Sequence, residues 1–113
     1  MKTKRISRNT NYKRGRTFEY RVKRHFENLG YYVIRSYASK GAADLYCFKG
    51  LQNTQLGLIT TLCLVQCKNY DINKRKPAKE EVEALKQLAK ITGGVPVYVY
   101  NNSKHKLQIK EID

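Results

Sequence analysis

LVQCKNY, residues 64–70, is an apolar run that stops abruptly at a lysine. With the residues before it, LITTLCLVQCK (58–68), it reads as a strand of a sheet. Side chains alternate along a strand, so Leu62, Leu64, Gln66 and Lys68 share one face. An otherwise leucine-lined face therefore delivers an amide and an ammonium, two residues apart, to the end of a buried strand. That pattern predicts a polar site at this end.

The flanking sequence supplies the rest of the fold. Upstream, Phe18, Val22, His25 or Phe26, and Leu29 recur at helical spacing from Arg14 onward, and Gly30 provides a stop. YYVIRSY (31–37) and ADLYCFKG (43–50) read as strands joined by the turn ASKGA, and LQNTQLG (51–57) as a hairpin connection into the strand ending at Lys68. A polar, basic loop then ends at Pro77, which suits the first turn of a helix. Ala78, Val82, Leu85, Leu88, Ala89 and Thr92 mark that helix, and Gly93 and Gly94 close it. VPVYVY (95–100), the turn NNSK and KLQIKEI (106–112) add two strands. The predicted order is α-β-β-β-α-β-β, an α/β domain over residues 14–113 preceded by a flexible basic arm over 1–13.

Charge narrows the class of partner. Lys and Arg number 23 against 9 acidic residues, a formal net charge of +14 on 113 residues. Self-repulsion on that scale in so small a domain points to a polyanionic partner. The basic residues are spread over several elements rather than along one amphipathic helix, which disfavours a membrane surface. No run is apolar enough to span a bilayer, and no apolar segment follows the basic N-terminus as a secretory signal requires, so an intracellular protein is expected. The cysteines, Cys47, Cys63 and Cys67, are odd in number. On one strand, Cys63 and Cys67 would stand ~13 Å apart, too far to share an ion. They read as small hydrophobes in a reducing compartment.

Asp44 opens the second strand directly after a glycine-containing turn and shares a face with Tyr46 and Phe48. If that strand neighbours the one ending at Lys68, then Asp44, Gln66 and Lys68 meet in one cleft. Glu19 lies within about 20° of Phe26 on the helix circumference, beside the core-facing stripe. Taken singly, each is an ordinary surface or strand-end residue. Their joint spacing is the arrangement of a two-carboxylate metal site with a lysine beside it.

Here the chain resembles the PD-(D/E)xK nuclease superfamily and, within it, the archaeal-type Holliday junction resolvases. The resemblance rests on RGRTFEYRVKRHFENLGYYVIRSYASKGAADLYCF (14–48), LVQCK (64–68) and ALKQLAKITGGVPVYVY (84–100). It implies a restriction-endonuclease-like fold, a mixed sheet flanked by helices. By similarity Glu19 is the first-helix glutamate, Asp44 the metal-binding aspartate, Lys68 the motif lysine, and Ser39 a serine in the loop ahead of the aspartate. Two departures stand out: Gln66 occupies the usual glutamate position, and Ala43 replaces the motif proline.

The implied activity is metal-dependent, structure-selective DNA cleavage that resolves four-way junctions by paired phosphodiester hydrolysis, carried out by a homodimer. Glu19, Asp44, the Gln66 amide and the Cys67 backbone carbonyl would offer hard oxygen ligands suited to Mg²⁺ or Mn²⁺. Arg14, Arg16, Arg35, Lys40, Lys74, Arg75 and Lys76, with Arg8 and Lys13 from the arm, are the expected phosphate contacts. Two other readings use the same residues: another endonuclease of the superfamily, of restriction or repair type, or a DNA-binding protein with weakened catalysis, which Gln66 favours.

Overall fold

The computed structural model describes residues 2–36, 41–50 and 59–113. Its elements run α1 (Lys2–Asn28), β1 (Tyr32–Arg35), β2 (Leu45–Gly50), β3 (Ile59–Lys68), α2 (Lys79–Thr92), β4 (Val95–Asn101) and β5 (Leu107–Glu111), the expected order. The five strands form one sheet in sequential order β1-β2-β3-β4-β5. Every neighbouring pair is antiparallel except β3 and β4, which run parallel with Val65 opposite Val97. A parallel pair needs a crossover connection, and α2 is that crossover.

Alternation along β3 and β4 builds two cores, one on each face of the sheet. On one side Phe18, Val22 and Phe26 of α1 pack against Val33, Leu45, Cys47, Cys63, Val65, Val97 and Val99. On the other, Leu85 of α2 packs with Ala43, Leu64, Ile72, Tyr98 and Tyr100. Because β3 is covered on both faces, the consecutive residues Cys63 to Gln66 are all buried. Gln66 belongs to the even-numbered set and so lies on the α2 side of the sheet. All three cysteines are free thiols within this packing, Cys47 lying directly opposite Cys63.

Several local expectations need correction. The helix begins at Lys2, so residues 2–13, expected as an arm outside it, continue it. No proline interrupts that stretch, and extending a helix already fixed by packing needs no new nucleus. Of the two aromatic choices on the α1 stripe, Phe26 is buried, whereas Leu29 falls beyond the last turn and is exposed. Asp44 stands one residue ahead of β2 instead of opening it. Pro77 precedes the extended cap residue Ala78 and so lies outside α2. The hairpin expected over 51–57 lies outside the described residues.

The double glycine has two separate jobs. Gly93 caps α2 in the left-handed region at φ 76°, donating its N–H to the Ala89 carbonyl at 2.8 Å. Gly94 brings the chain against β3, where a Cβ would stand 3.1 Å from Cγ of both Leu62 and Leu64. Together they turn α2 sharply into β4 and hold its far end close to the sheet.

Candidate active site

The C-terminal end of β3 is where the polar groups gather. β2 pairs with β3 only as far as Leu45 opposite Val65, which leaves Cys67 two residues beyond the ladder. Its backbone N–H donates to Oδ2 of Asp44 at 2.8 Å, and the Asp44 N–H donates to the Val65 carbonyl at 2.8 Å. The aspartate thus stands in for a missing strand residue and is aimed at the end of β3. Gln66 holds the same turn from the other side, its Nε2 donating to the Ala42 carbonyl at 2.6 Å.

Glu19, Asp44, Gln66, Cys67 and Lys68 all line one pocket of about 440 Å³, with Gly41, Ala42, Glu81 and Ala84 completing the wall. Four of the five residues singled out as catalytic are therefore in one place; Ser39, with Lys40, lies outside the described residues. Glu19 reaches the pocket from α1 and accepts a hydrogen bond from Nε of Arg35 at 2.8 Å. The Arg35 guanidinium also sits over the Tyr20 ring, 5.2 Å from its centroid. Arg35, expected as a phosphate contact, is thus bonded to a pocket residue without lining the pocket itself.

Glu81 is the residue that sequence reasoning missed. One carboxylate oxygen accepts from Lys68 Nζ at 2.7 Å and the other from the Tyr98 hydroxyl at 2.7 Å. A signal was present: Glu81 sits four residues before Leu85, about 40° away on the helix circumference, so it borders the buried face of α2.

The electrostatics follow from this crowding of acids. Burial pushes the Asp44 carboxyl up from 3.8 to about 6, and the charges of Glu19 and Glu81 add to it. The Cys67 N–H and Lys68 oppose the rise. The Cys67 thiol is held protonated by burial and by the nearby Asp44 and Glu19 charges. The pocket is thus a negative, partly desolvated place, and a cation there relieves the cost of ionising Asp44. Among the described residues no three His, Cys, Asp or Glu side chains converge closely enough to hold an ion by themselves. The hard oxygens that line the pocket are the carboxylates of Glu19, Asp44 and Glu81 and the amide of Gln66.

Among the described side chains, the expected phosphate contacts Lys13, Arg14, Arg16, Lys74, Arg75 and Lys76 do not line the pocket. Lys74, Arg75 and Lys76 are exposed in the loop after β3, with Arg75 over the Tyr70 ring at 4.9 Å. Arg14 and Arg16 are exposed on α1. Arg14 lines a shallow groove with Lys13, Thr17, Phe18, Arg21 and Asn69. Arg21, which the sequence reading passed over, is fixed there by Asn101 Oδ1 at 3.1 Å and the His105 carbonyl at 3.0 Å.

Residues 12–106 match the restriction endonuclease family Mrr_cat. The chain belongs to this family. It is also 33% identical over 85 residues to the crossover junction endodeoxyribonuclease Hjc of Methanocaldococcus jannaschii, a match covering 75% of this chain. The chain spans 56% of the length of that curated relative. Among solved structures, the Holliday junction resolvase Hjc of Archaeoglobus fulgidus superposes with a TM-score of 0.64 at 17% identity, over 87% of this chain and 72% of the other. The fold is therefore restriction-endonuclease-like, as the resemblance implied.

Two stability predictions follow for this Mrr_cat domain. The folded-state pKa of Asp44 lies above its ordinary value, so its contribution to stability is present below about pH 4 and is lost as pH rises through about 6. Asp44→Asn keeps an acceptor for the Cys67 N–H without the charge. In metal-free buffer its urea-unfolding free energy should match the parent near pH 4 and exceed it by ~1–3 kcal/mol at pH 7.5. Gln66→Glu replaces the donor facing the Ala42 carbonyl with an acceptor, and should cost ~1–3 kcal/mol at pH 7.5 in the same assay.

Proposed function

We propose that this chain is a metal-dependent DNA endonuclease acting on four-way junctions, as the Hjc relatives are named for. The observation that carries the reading is the shared pocket of Glu19, Asp44, Gln66 and Lys68 at the end of β3. Residues 14–113 form the nuclease domain, and residues 1–13 add basic charge to it.

Asp44, Glu19 and the Cys67 carbonyl are the groups that would hold a divalent ion, Mg²⁺ or Mn²⁺, with the Gln66 oxygen as a weaker neutral donor. The chemistry that such an ion would supply there is polarisation of the scissile phosphate and a lowered pKa for a coordinated water. The chain's own groups do the positioning. Asp44 is oriented by the Cys67 N–H, and Lys68 presents an ammonium to charge developing on the phosphate. Arg14, Arg16, Lys74, Arg75 and Lys76, with Lys40, would fix the duplex by its phosphates without reading sequence. A four-way junction offers two symmetry-related cuts, which suits a two-fold homodimer acting inside the cell.

Membership of a restriction endonuclease family favours the restriction side of a second reading, an endonuclease of restriction or repair type. Four-way junction, flap and linear duplex substrates separate the two, because only the first reading requires paired nicks at the branch point.

Asp44→Ala and Lys68→Ala should each reduce junction cleavage in magnesium by at least about 100-fold, measured in single-turnover gels. Binding of the uncut junction should change little. Normal cutting by either variant would remove the site assignment. Between 50 and 200 mM salt, affinity should fall ~10³–10⁵-fold if six to ten phosphates are contacted, and a flat dependence measured by fluorescence anisotropy contradicts phosphate tracking.

A further inference from the structure

We propose that Glu81 is a positioning residue for Lys68, supplying from α2 the negative charge that position 66 does not supply from β3. The inference rests on the nuclease reading above and adds to it a residue outside the motif. Lys68 and Glu81 are thirteen residues apart in sequence, and their contact is made across the face of the sheet.

Three observations converge. First, the carboxylate of Glu81 is doubly held, by Lys68 Nζ and by the Tyr98 hydroxyl, both at 2.7 Å. A carboxylate fixed at both oxygens orients whatever it binds, because neither rotation about its terminal bond nor a change of rotamer is free. Second, Tyr98 is itself fully buried on β4, opposite Gln66 in the parallel register, so the hydroxyl that grips Glu81 is part of the core. Third, Gln66 is spent on the Ala42 carbonyl. Residues 66 and 68 stand on one face of β3, about 6.6 Å apart along it, where an acid at 66 would neighbour the ammonium. An amide there leaves Lys68 without that neighbour, and Glu81 occupies the role from the facing helix.

Both members of the pair are mostly shielded, with side-chain exposures of 19% for Lys68 and 27% for Glu81. Lys68 is therefore presented to the pocket from a fixed point. Without the anchor, its four-carbon stem samples many rotamers and a charge directed at the phosphate loses its aim.

The test uses the full chain with a labelled synthetic four-way junction and magnesium. Glu81→Gln keeps the shape and removes the charge; it should lower kcat by about tenfold or more while KM for the junction moves less than about twofold. The ammonium ¹H–¹⁵N resonance of Lys68, visible while the group is held, should broaden beyond detection in this variant. Tyr98→Phe deletes only the hydroxyl and should move kcat in the same direction by less. Glu81→Asp, which keeps the charge, should recover part of the loss. Glu80→Gln, which removes the same charge from the exposed side of the same turn, should leave both readouts unchanged.

A Glu81→Gln variant with parental kcat and an intact Lys68 signal overturns the proposal, as does one in which only KM rises. If the parent cuts no DNA at all, the nuclease reading fails. The ammonium signal, which needs no cleavage, then decides by itself whether Glu81 holds Lys68.

Discussion

The hydrogen bond from the Cys67 N–H to Oδ2 of Asp44 ties the site to the sheet. It exists because β2 stops pairing at Leu45 while β3 runs on to Lys68, leaving a backbone donor on that edge with no β2 residue opposite it. A buried N–H without a partner costs on the order of 1–3 kcal/mol, so the end of the ladder needs an acceptor. Asp44 fills that need with a side chain rather than a carbonyl, and the same bond turns its carboxylate toward the residues that follow on β3. Strand termination and site formation are thus one event. The Gln66 bond to Ala42 pins the neighbouring backbone, so the turn ahead of β2 is fixed by two successive residues of β3.

Alternation then distributes the chemistry. Residue 67 contributes its backbone to Asp44, while the side chains of 66 and 68 emerge on the face covered by α2. Glu19 arrives from α1, which covers the other face, and reaches the pocket only because the pocket lies at the end of the sheet. Acids from both helices thus meet around one strand end. Their mutual repulsion and their burial together explain why the Asp44 carboxyl holds its proton up to about pH 6.

Much of this was legible in the residues. The period of two in 58–68 put Gln66 and Lys68 on one face, and the glycine turn before Asp44 placed an acid near them. The helical period placed Glu19 beside Phe26. The rest was hidden for physical reasons. Glu81 is hidden because the apolar stripe of 78–92 marks only the core-facing residues, and a glutamate at its rim has the same spacing whether it is solvated or turned toward the site. The early start of α1 escaped because residues 2–13 carry no apolar stripe, so their helicity comes from propagation. The role of Gln66 escaped because an amide is donor and acceptor at once. Which end faces a carbonyl depends on a turn whose path only the fold defines.

The amide at 66 and the acid at 81 are two sides of one constraint. A carboxylate at 66 would face the Ala42 carbonyl, acceptor against acceptor, and would loosen the turn that aims Asp44. A donor is therefore favoured at 66, and the charge beside Lys68 has to come from elsewhere. The parallel pairing of β3 and β4 already requires a crossover helix lying on that face of the sheet. α2 is that helix, anchored by Leu85 and drawn in by Gly94, and its first turn passes over the end of β3. An acid on the inward side of that turn meets Lys68 without any new element. The topology that makes the sheet mixed is the same one that offers the site a second source of negative charge.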